Sequence, residues 1–301
     1  MKKLLLLALL FIPQLSIAQT DTIIKFTKVA DGLNFPEGPA WDGKGNLYVS
    51  SCYGGYITKI FSQNVSKFID STSNPYMKQT NGLTVHNDGN IYACDYGIGA
   101  IIKISPQGIS QILIDSYEER RFNRPNDLAF DKKGNLYFTD PKSYGKDKLD
   151  GRIFKVNLES KKITLLADSL SFPNGIAFSK GGDKIFVCES AQNRILTFDV
   201  DSSGSFSNKT VFAELPGGDP DGLAFDINEN LYIAHFGGGA VYILSPKAKV
   251  IEKIITPGKR PSNVEFGGDD MKTLFITECE TNCVYSIQVK TPGMKLLTSP
   301  N

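Results

Sequence analysis

Residues 124–140 read RPNDLAFDKKGNLYFTD, and this stretch decides the fold. LAF is a short apolar strand, KGN a glycine turn, and LYFT a second strand that opens on a Leu-Tyr pair. Strand, tight turn, strand is the mark of an antiparallel unit. Pairs of the same kind recur as Leu47-Tyr48, Ile91-Tyr92, Leu136-Tyr137, Ile185-Phe186, Leu231-Tyr232 and Leu274-Phe275, at intervals of 44, 45, 49, 46 and 43 residues. A repeat of that length fits one four-stranded propeller blade.

Working outward, a third apolar run follows each pair (YITKI at 56–60, AIIKI at 100–104, RIFKV at 152–156, RILTFDV at 194–200, AVYIL at 240–244, CVYSIQV at 283–289). A weaker fourth run completes five of the six units. The sixth lacks one, while an unassigned β-like segment, residues 23–29, precedes the first. The sequence therefore predicts an all-β, six-bladed β-propeller of four antiparallel strands per blade, its ring closed by the N-terminal strand pairing with residues 283–289. Closure also removes open sheet edges. Trp-Asp occurs once, at residues 41–42, and Gly-His nowhere, so the recurring punctuation of a WD-repeat propeller is absent.

Residues 1–18 carry Lys2 and Lys3, an apolar run from Leu4 to Ile12, and the small-residue exit Ser16-Ile17-Ala18. This is the anatomy of a signal peptide, too short in its apolar part to span a bilayer. The expectation is an exported, periplasmic or secreted protein, with residues 19–301 forming one domain. Without Lys2 and Lys3, the 33 basic residues become 31 against 32 acidic ones, a balance with no footprint for nucleic acid or anionic membrane. Small molecules are the expected partners.

Ten or eleven residues before each aromatic pair stands an oxygen donor: Glu37, Asn81, Asn126, Asn174, Asp221 and Asn263. Equivalent positions in a closed ring converge on the axis, and two carboxylates with several amide oxygens suit a hard divalent cation. Calcium or magnesium fits better than zinc or copper, because only His86 and His235 exist and the donors are all oxygen, and a large pre-built ring suits calcium better than magnesium. Turn chemistry alone accounts for Pro-Asn-Gly at 173–175 and Pro-Asp-Gly at 220–222, and less well for Glu37, Asn126 and Asn263.

The motifs FPEGPAWD, RPNDLAFD, LYFTDPKSYG, FPNGIAFS, PDGLAFD and FGGDDMKTLFIT resemble the senescence marker protein, gluconolactonase and luciferin-regenerating enzyme family, over about residues 31 to 290. That resemblance implies a six-bladed propeller holding a single divalent cation through Glu37, Asn174 and Asp221, with Asn126 a further ligand or a substrate contact. It also implies Asp221 as general base and Arg124 as a substrate contact. The activity implied is hydrolysis of a small cyclic ester, a sugar lactone first. Phosphotriester cleavage and a non-catalytic, calcium-stabilised sugar-binding propeller are the competing readings. Glu265 departs from the pattern, since five blades hold Ala40, Thr84, Ala129, Ala177 and Ala224 at that place.

His235 shares an offset with Ser51, Asp95, Asp140, Glu189 and Glu278, a slot polar in every blade and therefore expected to line the channel or its upper pocket. It is read either as a substrate contact or as a hydrogen-bonded scaffold residue. Tyr144 sits in the long excursion 141–151, a loop placed to carry specificity. Five cysteines leave at least one thiol free, with one disulfide among Cys52, Cys279 and Cys283 left open.

Overall fold

The computed structural model describes residues 24–296. The leader read at residues 1–18 lies outside the described residues. Six sheets of four antiparallel strands form the ring. Their innermost strands are Pro36–Trp41, Thr80–Val85, Leu128–Phe130, Pro173–Phe178, Asp219–Phe225 and Pro261–Gly267. Each packs against the next, and the last returns to the first. Among the described residues the only helical pieces are two three-residue 3₁₀ turns, and no helix is long and apolar enough to cross a membrane.

Six hydrophobic clusters hold the ring together, one at each blade–blade interface. This explains the repeated pair. Tyr48 packs into the cluster shared by blades one and two, whereas its neighbour Leu47 packs into the one shared by blades six and one. Tyr137 and Leu136 divide in the same way between the clusters ahead of and behind blade three. Successive residues of a strand point to opposite faces, and here both faces are covered. An apolar residue and an aromatic side by side are what such a strand requires. Burying one large side chain contributes about 1.5 to 3 kcal/mol.

The expected closure is present. Thr27–Ala30 pairs antiparallel with Cys283–Gln288, with Thr27 opposite Ser286 and Lys28 opposite Tyr285. Ile24 and Phe26 pack on the cluster between blades five and six; Ile23 lies outside the described residues. Serine and threonine hydroxyls tie blades together near the axis. Ser50 donates to the Asn81 carbonyl (2.7 Å), Thr139 to that of Asn174 (2.8 Å), Ser190 to that of Pro220 (2.7 Å) and Ser262 to that of Pro36 (2.7 Å).

Candidate metal and substrate site

Each innermost strand starts at one mouth of the channel. In three of the six, Pro36, Pro173 and Pro261, proline is the first residue, a strand position that tolerates its missing N–H; in the strand Asp219–Phe225 it is the second. The oxygen donor follows at once. Glu37, Asn81, Asn126, Asn174 and Asp221 are all buried and all line one cavity of about 200 Å³ at this mouth. The Pro-Asn-Gly and Pro-Asp-Gly sequences are not turns. They lie inside strands, at a register shift between Pro173 and Ile176 and another between Pro220 and Leu223.

The sixth donor is placed differently. Val264 pairs with Ile276 as Ile176 pairs with Val187, so Ser262 occupies the donor position in blade six. Asn263 stands one residue deeper, level with glycines. At that deeper level four blades carry Gly38, Gly82, Gly175 and Gly222, and the other two carry Asp127 and Asn263. The glycines make the room. A β-carbon on Gly82 would collide with the Asp127 carboxylate, and one on Gly222 with the Asn263 side chain. Asn263 in turn lies close enough to Glu37 and Asp127 for its amide to counter the rise of both carboxyls from beneath the donor layer.

The electrostatics of these layers call for a positive charge. Burial, with the charge of Asp127 adding to it, pushes the Glu37 carboxyl up to about 8. Burial raises Asp127 to about 7. Asp221 is driven well above the usual range by burial and then by Glu37 and Asp127. Among the described residues none of the three pairs with Lys or Arg. Among the described residues, too, no three His, Cys, Asp or Glu side chains form a metal cage by themselves. Two carboxylates need amide oxygens to complete a donor set, and Asn81, Asn126 and Asn174 supply them. The residues present therefore fit a hard divalent cation.

Residues 35–280 match the family model for the SMP-30/Gluconolactonase/LRE-like region. The chain belongs to that family. It is 31% identical to the gluconolactonase of Zymomonas mobilis subsp. mobilis, the alignment covering 94% of this chain and 86% of that protein. It is 27% identical to the diisopropyl-fluorophosphatase of Loligo vulgaris, over 90% of this chain and 94% of that one. A solved gluconolactonase from Xanthomonas campestris superposes with a TM-score of 0.78 at 25% identity, covering 89% of this chain and 90% of the other.

Of the family positions, Arg124 stands exposed, its guanidinium 5.0 Å over the ring of Tyr96, which itself lines the cavity. Tyr144 also lines it, its hydroxyl donating to Asp219 at 2.9 and 3.0 Å from the two oxygens. The excursion that carries Tyr144 is pinned by Ser171, which donates to the Gly145 carbonyl (2.7 Å), and by Gln192, which donates to that of Lys146 (2.9 Å).

His235 does not reach the cavity. It is fully buried, and its Nε2–H donates to the Leu215 carbonyl at 2.9 Å, which fixes the tautomer and leaves Nδ1 without a partner. The whole polar slot turns away from the mouth. Asp95 accepts from the N–H groups of Lys78 (2.7 Å) and Gln79 (3.1 Å), Asp140 from Arg124 N–H (2.8 Å), Glu189 from Ser171 N–H (2.8 Å) and Glu278 from Arg260 N–H (2.7 Å). These side chains clamp the loops that lead into the donor strands. Polar residues in a buried ring satisfy loop backbone as readily as they line a pocket.

Glu265 faces a separate cavity at the far end of the channel, shared with Asp127 and closed by Met294 and Leu296. Burial raises its carboxyl to about 8. All five cysteines are buried and free, so no disulfide forms among Cys52, Cys279 and Cys283. Cys279 instead donates its thiol to the Pro36 carbonyl at 3.4 Å. The sequence reading missed Asp127 and the aromatic residues around the mouth, Phe35, Tyr53, Tyr96, Phe172 and Phe236.

Proposed function

We propose that this site hydrolyses a lactone with one divalent cation, calcium, held by Glu37, Asn126, Asn174 and Asp221. The observation that carries the reading is the buried, uncompensated carboxylate pair of Glu37 and Asp221 among amide oxygens at the open mouth. The bound cation supplies Lewis acidity to the ester carbonyl. Asp221, raised in basicity by its surroundings and lining the mouth beside Asn174, is placed to take a proton from the attacking water or pass one to the leaving oxygen. Asn126 orients the ring, and Arg124, at the rim, guides the acid that forms. The gluconolactonase and lactonase relatives support a lactone over other esters. The fluorophosphatase relative keeps phosphotriesters on the panel. The leader at residues 1–18 directs the protein out of the cytoplasm in this reading.

The test is acid release from aldonolactones, apolar lactones and phosphotriesters, with calcium and with a chelator. Lactone cleavage that stops on chelation and returns with calcium is the expected result. Tight binding of lactones with no turnover of any substrate would leave a binding propeller in its place.

A further inference from the structure

We infer that the lactone taken here carries an apolar, preferably aromatic, body and is not a polyhydroxylated aldonolactone. The inference rests on the lactonase reading and adds the substrate class. Above the donor layer the mouth is walled by Phe35, Tyr53, Tyr96, Tyr144, Phe172 and Phe236, six of the thirteen residues that line it. Five of them form two groups, and Tyr96 stands apart beneath the Arg124 guanidinium. Phe35 lies 4.5 Å from Tyr53 and 6.1 Å from Phe236 between ring centres, and Tyr144 meets Phe172 edge-to-face at 5.5 Å. Aromatic faces offer large contact area to apolar rings and nothing to a hydroxyl in need of a partner.

Few polar groups are left for sugar hydroxyls. Ser190 donates its hydroxyl to the Pro220 carbonyl, Tyr144 donates to Asp219, and Asp219 accepts from Asn193 as well. Beyond the proposed cation ligands, only Asn81 and the hydroxyls of Tyr53 and Tyr96 remain without a side-chain hydrogen bond among the described residues. An aldonolactone bears a hydroxyl on nearly every ring carbon, and each one buried against a ring face without a partner weakens binding.

Backbone strain supplies an independent observation. Phe35 and Phe172 occupy the same place in blades one and four, each just before the proline that opens a donor strand. Both sit in the left-handed region, at φ of 60° and 56°. A bulky aromatic is rarely found there, and such strain persists where function holds it. Glycine or asparagine would relieve it at either position, yet phenylalanine stands at both.

The experiment compares kcat/KM for a phenyl-substituted δ-lactone with that for glucono-δ-lactone at saturating calcium. The phenyl lactone should be favoured by roughly 10- to 100-fold, the range expected from burying one aromatic ring. Phe35→Asn and Phe172→Asn keep a residue suited to the left-handed backbone while removing the aromatic face, and each should cut that preference about tenfold or more. Calorimetric binding of the two matching lactams, which are not turned over, reads the same preference without chemistry. Preference for the gluconolactone, or a ratio untouched in both variants, overturns the inference while lactone turnover stands. If no lactone is cleaved, the hydrolase reading fails, and lactam binding alone decides whether the aromatic wall selects apolar rings.

Discussion

Stripped of calcium, the protein should lose stability as pH rises from about 5 to about 7, and calcium should lessen the loss. The magnitude is worked from two of the buried acids; Asp221 and Glu265, also raised by burial, act in the same direction. Glu37 moves from 4.5 in the unfolded chain to about 8 in the fold, and Asp127 from 3.8 to about 7. Below the lower values both groups are protonated in both states, and no cost arises. Between the lower and upper values the unfolded chain has released protons that the fold still binds, so stability declines with pH. Above the upper values the cost is constant. Each group contributes about 1.36 kcal/mol per pH unit in that window. Over two pH units the pair costs about 5 kcal/mol as an upper limit. Half of that lowers the melting temperature by roughly 5 to 10 °C in a domain of this size. Thermal melts across this range, with calcium or chelator at fixed ionic strength, measure it directly. Glu37→Gln removes one of these titrations and should make the slope of the chelated protein shallower by about 1.36 kcal/mol per pH unit at most. A chelated protein whose melting temperature stays flat or rises, or a calcium-loaded one that falls in parallel, would refute the reasoning.

Asp221→Asn at saturating calcium should lose about a hundred- to ten-thousand-fold in lactone turnover with a far smaller change in KM, as removal of a general base does; wild-type turnover would take Asp221 out of the chemistry. Deleting residues 19–30 removes the strand Thr27–Ala30 that completes blade six. That variant should melt well below the intact chain, and equal melting would show that the closing strand contributes nothing.

The fold was legible because each Xaa-aromatic pair is buried on both sides, so the ring imposes the same two residues once per blade. The donor layer was legible in five blades for a similar reason. It failed in blade six because that hairpin is longer than any other: counting back from Phe275 lands on Asn263, while strand pairing puts Ser262 in place. The slot of Ser51, Asp95, Asp140, Glu189, His235 and Glu278 was read as facing the channel. Spacing gives a position along a strand and not its partner, and the partners turned out to be loop N–H groups and, for His235, a carbonyl. Phe35 and Phe172 stood in plain view beside Glu37 and Asn174, but their left-handed backbone leaves no trace in composition. Asp127 drew no notice as a site residue because its importance depends on the glycines beside it in neighbouring blades.

The hydroxyl ties between blades carry a consequence for how the protein matures. The carbonyl of each tethered donor strand hangs from the blade before it, Asn81 from Ser50, Asn174 from Thr139 and Pro36 from Ser262. Glu37, made early in synthesis, is thus held in place by a residue made near the end. A nascent chain with five blades would own most of the donors and still lack the scaffold to aim them. Under the proposed cation binding, ion capture would report a finished circle, and a chain stalled or clipped in any blade should stay calcium-blind even where its remaining sheets have folded.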